Sequence, residues 1–181
     1  MPCPAASQAL SPAARQPEDT NADHPGCTAV TTPDQDSGDT FAPFFTRTHR
    51  IEWGQCDPAG IVFAPRYFDM VTENTILLFE AAGLPPKRAM LDREDAAGYP
   101  AVELSARFLR PTSYGDIVTI ESAAPRFGNS SFTIVCRISF EGRLCVEVAE
   151  KRVWTVRDAG RPGGMRAERV PDAVRALFAR G

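Results

Sequence analysis

The alternation of apolar and polar residues along the chain predicts one long helix preceded and followed by strands. Residues 46–54, TRTHRIEWG, are rich in β-branched and aromatic side chains and alternate with period two. This pattern predicts a first strand, and the residues expected on one of its faces are Arg47, His49, Ile51 and Trp53.

The spacing then changes to that of an amphipathic helix, which we expect to begin at Pro65 and to reach Ala81. Proline suits the first turn of a helix, glycine at position 83 is typical of a helix end, and Pro85 prevents continuation. The residues predicted to share the apolar face are Tyr67, Met70, Val71, Asn74, Leu77, Leu78 and Ala81.

The second half of the chain returns to period two. A polar stretch, 86–98, is expected to hold at most one helical turn, and a short helix is expected over 170–180. Between them lie four strand candidates: 99–111, 116–127, 130–141 and 143–158. One long helix against an antiparallel meander predicts a two-layer α+β domain.

Residues 1–40 have a different composition from the rest of the chain. They are rich in Pro, Ala, Ser, Thr and Asp and contain no aromatic residue. Such a segment cannot bury enough apolar surface to offset the entropy of ordering it. We therefore predict a disordered tail over 1–40 and one folded domain over 41–181.

Composition narrows the class of protein. The chain has 181 residues, 43% of them hydrophobic, which suits one ordinary domain. A net charge of −3 argues against a nucleic-acid partner, and no apolar run approaches the ~18 residues that span a membrane. No secretory signal is apparent, so we expect a cytoplasmic protein with five reduced cysteines. These cysteines lack zinc-ligand spacing, and we expect no metal.

The stretch GQCDPAGIV, residues 54–62, carries the most suggestive side chain, Asp57. Aspartate beside proline and glycine commonly makes an Asx-type turn, which needs no catalysis. The stretch also lies just before the helix that Pro65 begins, where unpaired N–H groups and the positive end of the helix dipole are expected. A carboxylate facing such donors suits acyl transfer, since the donors polarise a carbonyl that the carboxylate or an activated water attacks.

Other candidate groups fit simpler interpretations. Cys56 is expected to point away from the face of Asp57 and to be a buried thiol. His49 is the only histidine of residues 41–181, so a serine–histidine triad would depend on it alone. Glu73 lies on the polar face of the helix and is most simply a solvated acid. Lys151 and Arg152 are candidates for coenzyme phosphates, although surface cations usually have no specific role.

HRIEWGQCDPAGIVFAPRYFDMV (49–71) resembles the first strand, catalytic loop and helix start of the hot-dog-fold acyl-CoA thioesterases, of the 4-hydroxybenzoyl-CoA thioesterase type. GLPP (83–86), SARFLRPTSYGDIVTIES (105–122) and RVW (152–154) fit the same family. The resemblance extends over about residues 46 to 175, which leaves the tail outside. It implies a hot-dog fold, in which an antiparallel five-stranded sheet wraps one long central helix.

The resemblance also implies site residues. Asp57 would be the catalytic carboxylate, acting as nucleophile or as general base. The backbone N–H near Phe63 and Ala64 would polarise the thioester carbonyl, and Tyr67 would lie near the acyl pocket. Basic residues at a subunit edge would hold the coenzyme A phosphates, and Lys151 with Arg152 are the nominated pair. Active sites formed between two subunits imply a homodimer or homotetramer.

The chain departs from the family at two positions. A second acid often lies two residues before the catalytic one, where this chain has Gln55. Many relatives carry an acid on the helix at the position of Thr72, whereas Glu73 here follows one step later and is rotated by ~100°. Both departures bear on acyl specificity, and neither touches Asp57.

These observations predict an acyl-CoA thioesterase that needs no metal or redox cofactor. An aromatic acyl group, benzoyl or hydroxybenzoyl, is the expected substrate, and a short or medium aliphatic acyl group is the alternative. A hot-dog hydratase is disfavoured because no histidine lies between Gln55 and Tyr67. A non-catalytic acyl-CoA-binding module is a further alternative.

Overall fold

The computed structural model describes residues 41–91 and 98–179. The predicted tail, 1–40, lies outside the described residues and stays a prediction. Within the described ranges, no helix is long and apolar enough to cross a membrane. In the same ranges, no three His, Cys, Asp or Glu side chains form a group suited to a metal ion.

The described chain contains three α-helices, one short 3₁₀ helix and eight strands. The helices are α1 (Ala64–Ala81), α2 (Lys87–Leu91) and α3 (Asp172–Leu177), and the 3₁₀ turn is Trp53–Gln55. The strands are β1 (Pro43–Arg50), β2 (Ala101–Phe108), β3 (Ile117–Ala123), β4 (Arg126–Phe127), β5 (Ser131–Phe140), β6 (Arg143–Val153), β7 (Thr155–Arg157) and β8 (Met165–Ala167).

The main sheet has five strands in the order β1-β3-β5-β6-β2, all pairs antiparallel, and short β4 adds a sixth strand beside β5. The expected α+β class is confirmed, whereas the sheet has six strands instead of the expected five because short β4 pairs with β5. The simple meander is wrong, because β2 pairs with β6 at the far edge and leaves β3 to pair with β1. Period-two patterns reveal strands but not their neighbours, since pairing is non-local.

Each predicted strand ends before its expected last residue, as the first and the last show. The first ends at Arg50, and Trp53 lies in the 3₁₀ turn with 79% of its surface exposed, whereas Ile51 is fully buried. The two side chains therefore do not share the environment that strand alternation predicts. The last strand candidate breaks at Trp154, after which β7 pairs with β8 in a separate two-stranded sheet.

Helix α1 buries one face against the sheet, as its periodicity predicts. Its buried residues are Tyr67, Met70, Val71, Asn74, Thr75, Leu78 and Phe79. Thr75 and Phe79 replace Leu77 and Ala81 of the predicted face, a small rotation of the stripe. Gly83 follows the helix with φ of +112°, a conformation that glycine adopts without steric cost.

Buried polar groups lie between two apolar parts of the core. One apolar cluster gathers around Val71 and the other around Leu78. On the helix between them, the amide of Asn74 donates to Ser122 Oγ at 2.7 Å. Thr75 Oγ1 donates to the carboxylate of buried Glu150. Because these two helix side chains are paired with buried groups of the sheet, the bonds fix the axial position of α1 on the sheet.

Candidate active site

Residues 55–63 form a tight hairpin that carries Asp57 and leads into α1. The Phe63 N–H donates to the Gln55 carbonyl at 2.9 Å, and the Asp57 N–H donates to the Ile61 carbonyl at 2.9 Å. Opposed residues of an antiparallel pair share a face. Asp57 therefore lies on the same side of the hairpin as Ile61 and Phe63.

The carboxylate of Asp57 is held by its own turn. Its Oδ1 accepts the Ala59 N–H at 2.8 Å, and its carbonyl accepts the Gly60 N–H at 2.9 Å. Gly60 has φ of +81°, which closes the turn and favours glycine. The Asx turn is therefore present. It occupies one carboxylate oxygen, and no described residue hydrogen-bonds to Oδ2, so the turn orients the acid and leaves that oxygen available.

Cys56 lies on the opposite face of the hairpin. It is bridged to Val62, which is buried, and it packs against the apolar cluster around Val71. The alternation that places Asp57 outward thus directs the thiol toward the core. Cys56 is half-buried instead of fully buried as predicted, and its packing against the core agrees with the predicted structural role.

The first turn of α1 offers one unused backbone donor. The Phe63 N–H is already bonded to Gln55, Pro65 has no N–H, and the Arg66 N–H donates to the Phe63 carbonyl at 2.8 Å. The Ala64 N–H has no partner among the described residues. Of the two predicted donors, only Ala64 is therefore free to polarise a ligand carbonyl.

Tyr67 lies one helical turn further and is buried, with 3% of its surface exposed. Its hydroxyl lies 2.8 Å from Thr112 Oγ1, and its ring packs against Phe108 with centroids 5.8 Å apart. Burial raises the pKa of Tyr67 above its ordinary value, and the Thr112 hydrogen bond opposes that shift. Tyr67 is thus an uncharged residue of the pocket wall, and its hydroxyl is already hydrogen-bonded to Thr112.

A pocket of about 320 Å³ opens beside these groups. It is lined by Ile61, Val62, Ala64, Tyr67, Phe108, Leu109, Arg110 and Pro111. Asp57 does not line it directly, but its hairpin partner Ile61 and the free donor at Ala64 do. The sequence analysis missed the segment from Phe108 to Pro111. An apolar strand end followed by Arg-Pro is the signal that marks it.

Gln55 replaces the second acid of the family and ties the hairpin to its surroundings. Its side-chain Oε1 accepts the Glu52 N–H at 2.8 Å and lies 3.2 Å from His49 Nε2. His49 thus contacts an amide rather than a nucleophile. Glu73 lies further along α1, is 59% exposed and pairs with Arg47 at 2.8 Å. That contact agrees with a solvated acid.

The two nominated phosphate ligands have opposite environments on β6. Lys151 is exposed, whereas Arg152 is 5% exposed. Arg152 pairs with buried Glu150 at 2.8 Å and donates to the Tyr99 carbonyl at 3.2 Å. Its guanidinium is therefore committed to the interior. The sequence contains a signal for this burial of Arg152. Val148, Glu150 and Arg152 occupy every second position of one strand and so share its buried face.

Comparison with known proteins decides the family. The sequence profile of the Thioesterase-like superfamily matches residues 51–178, a range that holds the hairpin, α1 and the pocket. The chain belongs to the Thioesterase-like superfamily. It is a thioester hydrolase, as its sequence predicts.

Two relatives of this thioesterase chain are informative. The 4-hydroxybenzoyl-CoA thioesterase of Pseudomonas sp. (strain CBS-3) is 35% identical over 136 residues, 72% of this chain and 94% of that enzyme. Its solved structure gives a TM-score of 0.67 at 32% identity, covering 74% of this chain and 97% of that one. A gentisyl-coenzyme A thioesterase gives 0.64 at 28% identity, covering 75% and 100%.

A further solved structure is an Asp-to-Asn mutant of 4-hydroxybenzoyl-CoA thioesterase complexed with 4-hydroxybenzoyl-CoA. It gives a TM-score of 0.66 at 32% identity and covers 74% of this chain and 97% of that one. Together the structural matches confirm the hot-dog fold.

Proposed function

We propose that this thioesterase hydrolyses an aromatic acyl-CoA to the free acid and coenzyme A, with Asp57 as its catalytic carboxylate. The observation that carries the proposal is the hairpin that joins three features. It presents the free oxygen of Asp57, leads into the unpaired N–H of Ala64 and forms one wall of an apolar pocket. A short or medium aliphatic acyl group is the alternative for the same site.

The chemistry follows from these groups. The Ala64 N–H donates to the thioester carbonyl oxygen and stabilises the negative charge that develops there. Asp57 Oδ2 either attacks the carbonyl carbon, giving an acyl anhydride that water then hydrolyses, or accepts a proton from the attacking water. The C–S bond breaks, and coenzyme A leaves as a thiolate that takes up a proton. Only water and groups of this protein take part.

The relatives favour an aromatic acyl group. The 35% identical Pseudomonas enzyme is a 4-hydroxybenzoyl-CoA thioesterase, and the 28% identical structure is a gentisyl-coenzyme A thioesterase. The Asp-to-Asn mutant captured with 4-hydroxybenzoyl-CoA supports a carboxylate in the reaction. Exposed Lys151 remains our candidate for a coenzyme phosphate, and we do not retain Arg152 because it is paired with Glu150 in the interior.

A thiol-release assay tests the proposed function. Wild-type protein is given benzoyl-CoA, 4-hydroxybenzoyl-CoA and octanoyl-CoA, and free coenzyme A is measured. We expect the highest kcat/KM with an aromatic thioester. A clear preference for octanoyl-CoA would select the aliphatic alternative. No thiol released from any of the three, with binding retained, would instead favour a non-catalytic binding module.

We also propose that the enzyme acts as a homodimer joined through β2. This strand pairs with β6 on one side, is the last strand of the sheet, and exposes Val102 (58%), Leu104 (42%) and Phe108 (50%). An apolar edge strand is a ready template for a second chain, and antiparallel pairing of two copies would join their sheets into one with two-fold symmetry.

Light scattering tests whether two copies of the chain pair through β2. We expect wild-type protein at twice the chain mass of 19.7 kDa, or at a multiple of the dimer. The double variant Val102→Glu, Leu104→Glu places two charges on the edge, so it should shift the mass to that of one chain and lower activity. Ile117→Glu, at a 60% exposed site on β3, is the matched control. An unchanged mass for the double variant would overturn pairing through β2.

A further inference from the structure

One arginine borders the pocket in which the acyl group is proposed to bind. Arg110 follows the end of β2, and it is the single charged residue among those that line the cavity. The other walls are aliphatic, aromatic or proline side chains and the helix start at Ala64. Arg110 is itself exposed, so its guanidinium can contact both water and a ligand in the pocket.

The backbone and one end of the side chain hold Arg110 in place. Its N–H donates to the Cys145 carbonyl at 3.1 Å, and its Nη1 donates to the Leu144 carbonyl at 3.0 Å. In the part of the chain that the structure describes, no carboxylate lies within ion-pair distance of Arg110. Arg107, three residues earlier, differs because it pairs with Glu147 at 3.4 Å. The remaining donors of Arg110 are therefore available to a ligand.

We propose that Arg110 determines acyl specificity by binding an oxygen acceptor, a carboxylate above all, at the distal end of the aromatic acyl group. This inference rests on the proposed function. Ala64 and Arg110 line the same pocket, so one ligand can place its thioester carbonyl at the first and its remote substituent at the second. An apolar ring suits the apolar walls, and one polar substituent suits the single guanidinium among the lining residues.

The acyl group fits this pocket better than the coenzyme phosphates do. Phosphates moved from water against apolar walls lose hydration that a single guanidinium cannot replace. A ring bearing one carboxylate needs only one charged partner, and a guanidinium can bind it through two parallel hydrogen bonds. A hydroxyl on the ring offers a weaker acceptor at the same place.

The test compares ratios of kcat/KM for 4-carboxybenzoyl-CoA and benzoyl-CoA. We expect Arg110→Met to lower this ratio by about tenfold or more, the value of one charge-assisted hydrogen bond. Arg110→Lys should recover part of it, because an ammonium keeps the charge but not the planar fork. Arg107→Met, outside the pocket, should leave the ratio unchanged. An equal ratio in wild type and Arg110→Met would overturn the proposal.

Two further measurements distinguish a contact with the acyl group from a contact with a phosphate and from a loss of turnover. N-acetylcysteamine thioesters of the same acids carry no phosphate, so the effect of Arg110→Met should persist with them. An effect confined to the coenzyme A thioesters, and equal for both acids, would assign Arg110 to a phosphate and overturn the proposal. The ratio of dissociation constants, measured on the Asp57→Asn background, reports the same selectivity without turnover. If the dissociation constants favour 4-carboxybenzoyl-CoA in an Arg110-dependent way but the wild type releases no thiol, only the hydrolase function proposed above is rejected.

Discussion

Asp57→Asn should lower kcat for acyl-CoA hydrolysis by about 10²–10⁴-fold, the usual contribution of a positioned acid–base or nucleophilic group. Asparagine keeps the Oδ1 acceptor, so the bond from the Ala59 N–H that shapes the turn can persist. The charged second oxygen is replaced by an amide NH₂. This group can neither attack a carbonyl nor accept a proton from water. The fold and substrate binding should therefore survive while turnover is lost.

The measurement is steady-state thiol release, accompanied by thermal unfolding and by binding of the thioester. Asp69→Asn is the matched control, because Asp69 is a 67% exposed acid of α1 that pairs with Arg66 at 3.1 Å. It should behave as wild type. Steady-state hydrolysis by Asp57→Asn within a few-fold of wild type would exclude Asp57 as the catalytic carboxylate. In wild type, single-turnover hydrolysis in ¹⁸O-water separates the two routes, since label entering Asp57 marks nucleophilic attack.

Ala64→Pro should lower kcat by about 10²–10³-fold, the cost of removing one oxyanion donor. Proline deletes the backbone N–H that we assign to the thioester carbonyl, and its ring carbon Cδ takes the place of that hydrogen. Ala64 is the first residue of α1, a position where proline is readily accommodated. Phe63 has φ −63° and ψ 120°, an extended conformation that a following proline also requires.

Circular dichroism should show an intact helix for Ala64→Pro, and KM should change less than kcat because the donor acts mainly on charge that develops in the transition state. Ala64→Ser retains the N–H and changes only the side chain, so it should remain active. A folded Ala64→Pro protein with near-normal kcat would place the oxyanion donor elsewhere.

Local sequence patterns predicted those parts of the molecule that neighbouring residues specify. The period of the apolar residues, Pro65 and Gly83 determine where α1 begins and ends, and the structure places it within one residue of the expected start. The turn at Asp57 could be predicted equally well, because Pro58 and Gly60 determine the backbone conformation locally. Both interpretations of that aspartate describe the same geometry, in which the turn holds one oxygen and frees the other.

Features that depend on pairing between distant residues could not be predicted from local sequence patterns. Strand patterns could not show that β2 leaves its neighbour in sequence and pairs with β6. The sequence offered two helix-entry donors, and only the hairpin decides that Phe63 is already bonded to Gln55 and that Ala64 is free. Arg152 was nominated for the surface, yet its partner Glu150 holds it in the core.

By itself, then, the sequence determined the class of fold, the central helix and a rigid turn that carries one carboxylate, because each rests on contacts a few residues apart. Only the tertiary structure decided which backbone donor at the start of α1 is free, which cation is buried and which one borders the pocket. Those outcomes depend on which distant strands and hairpin ends meet. Arg110 lies beside Tyr67 and Ala64 because the end of β2 passes the start of α1, a neighbourhood that no local pattern records.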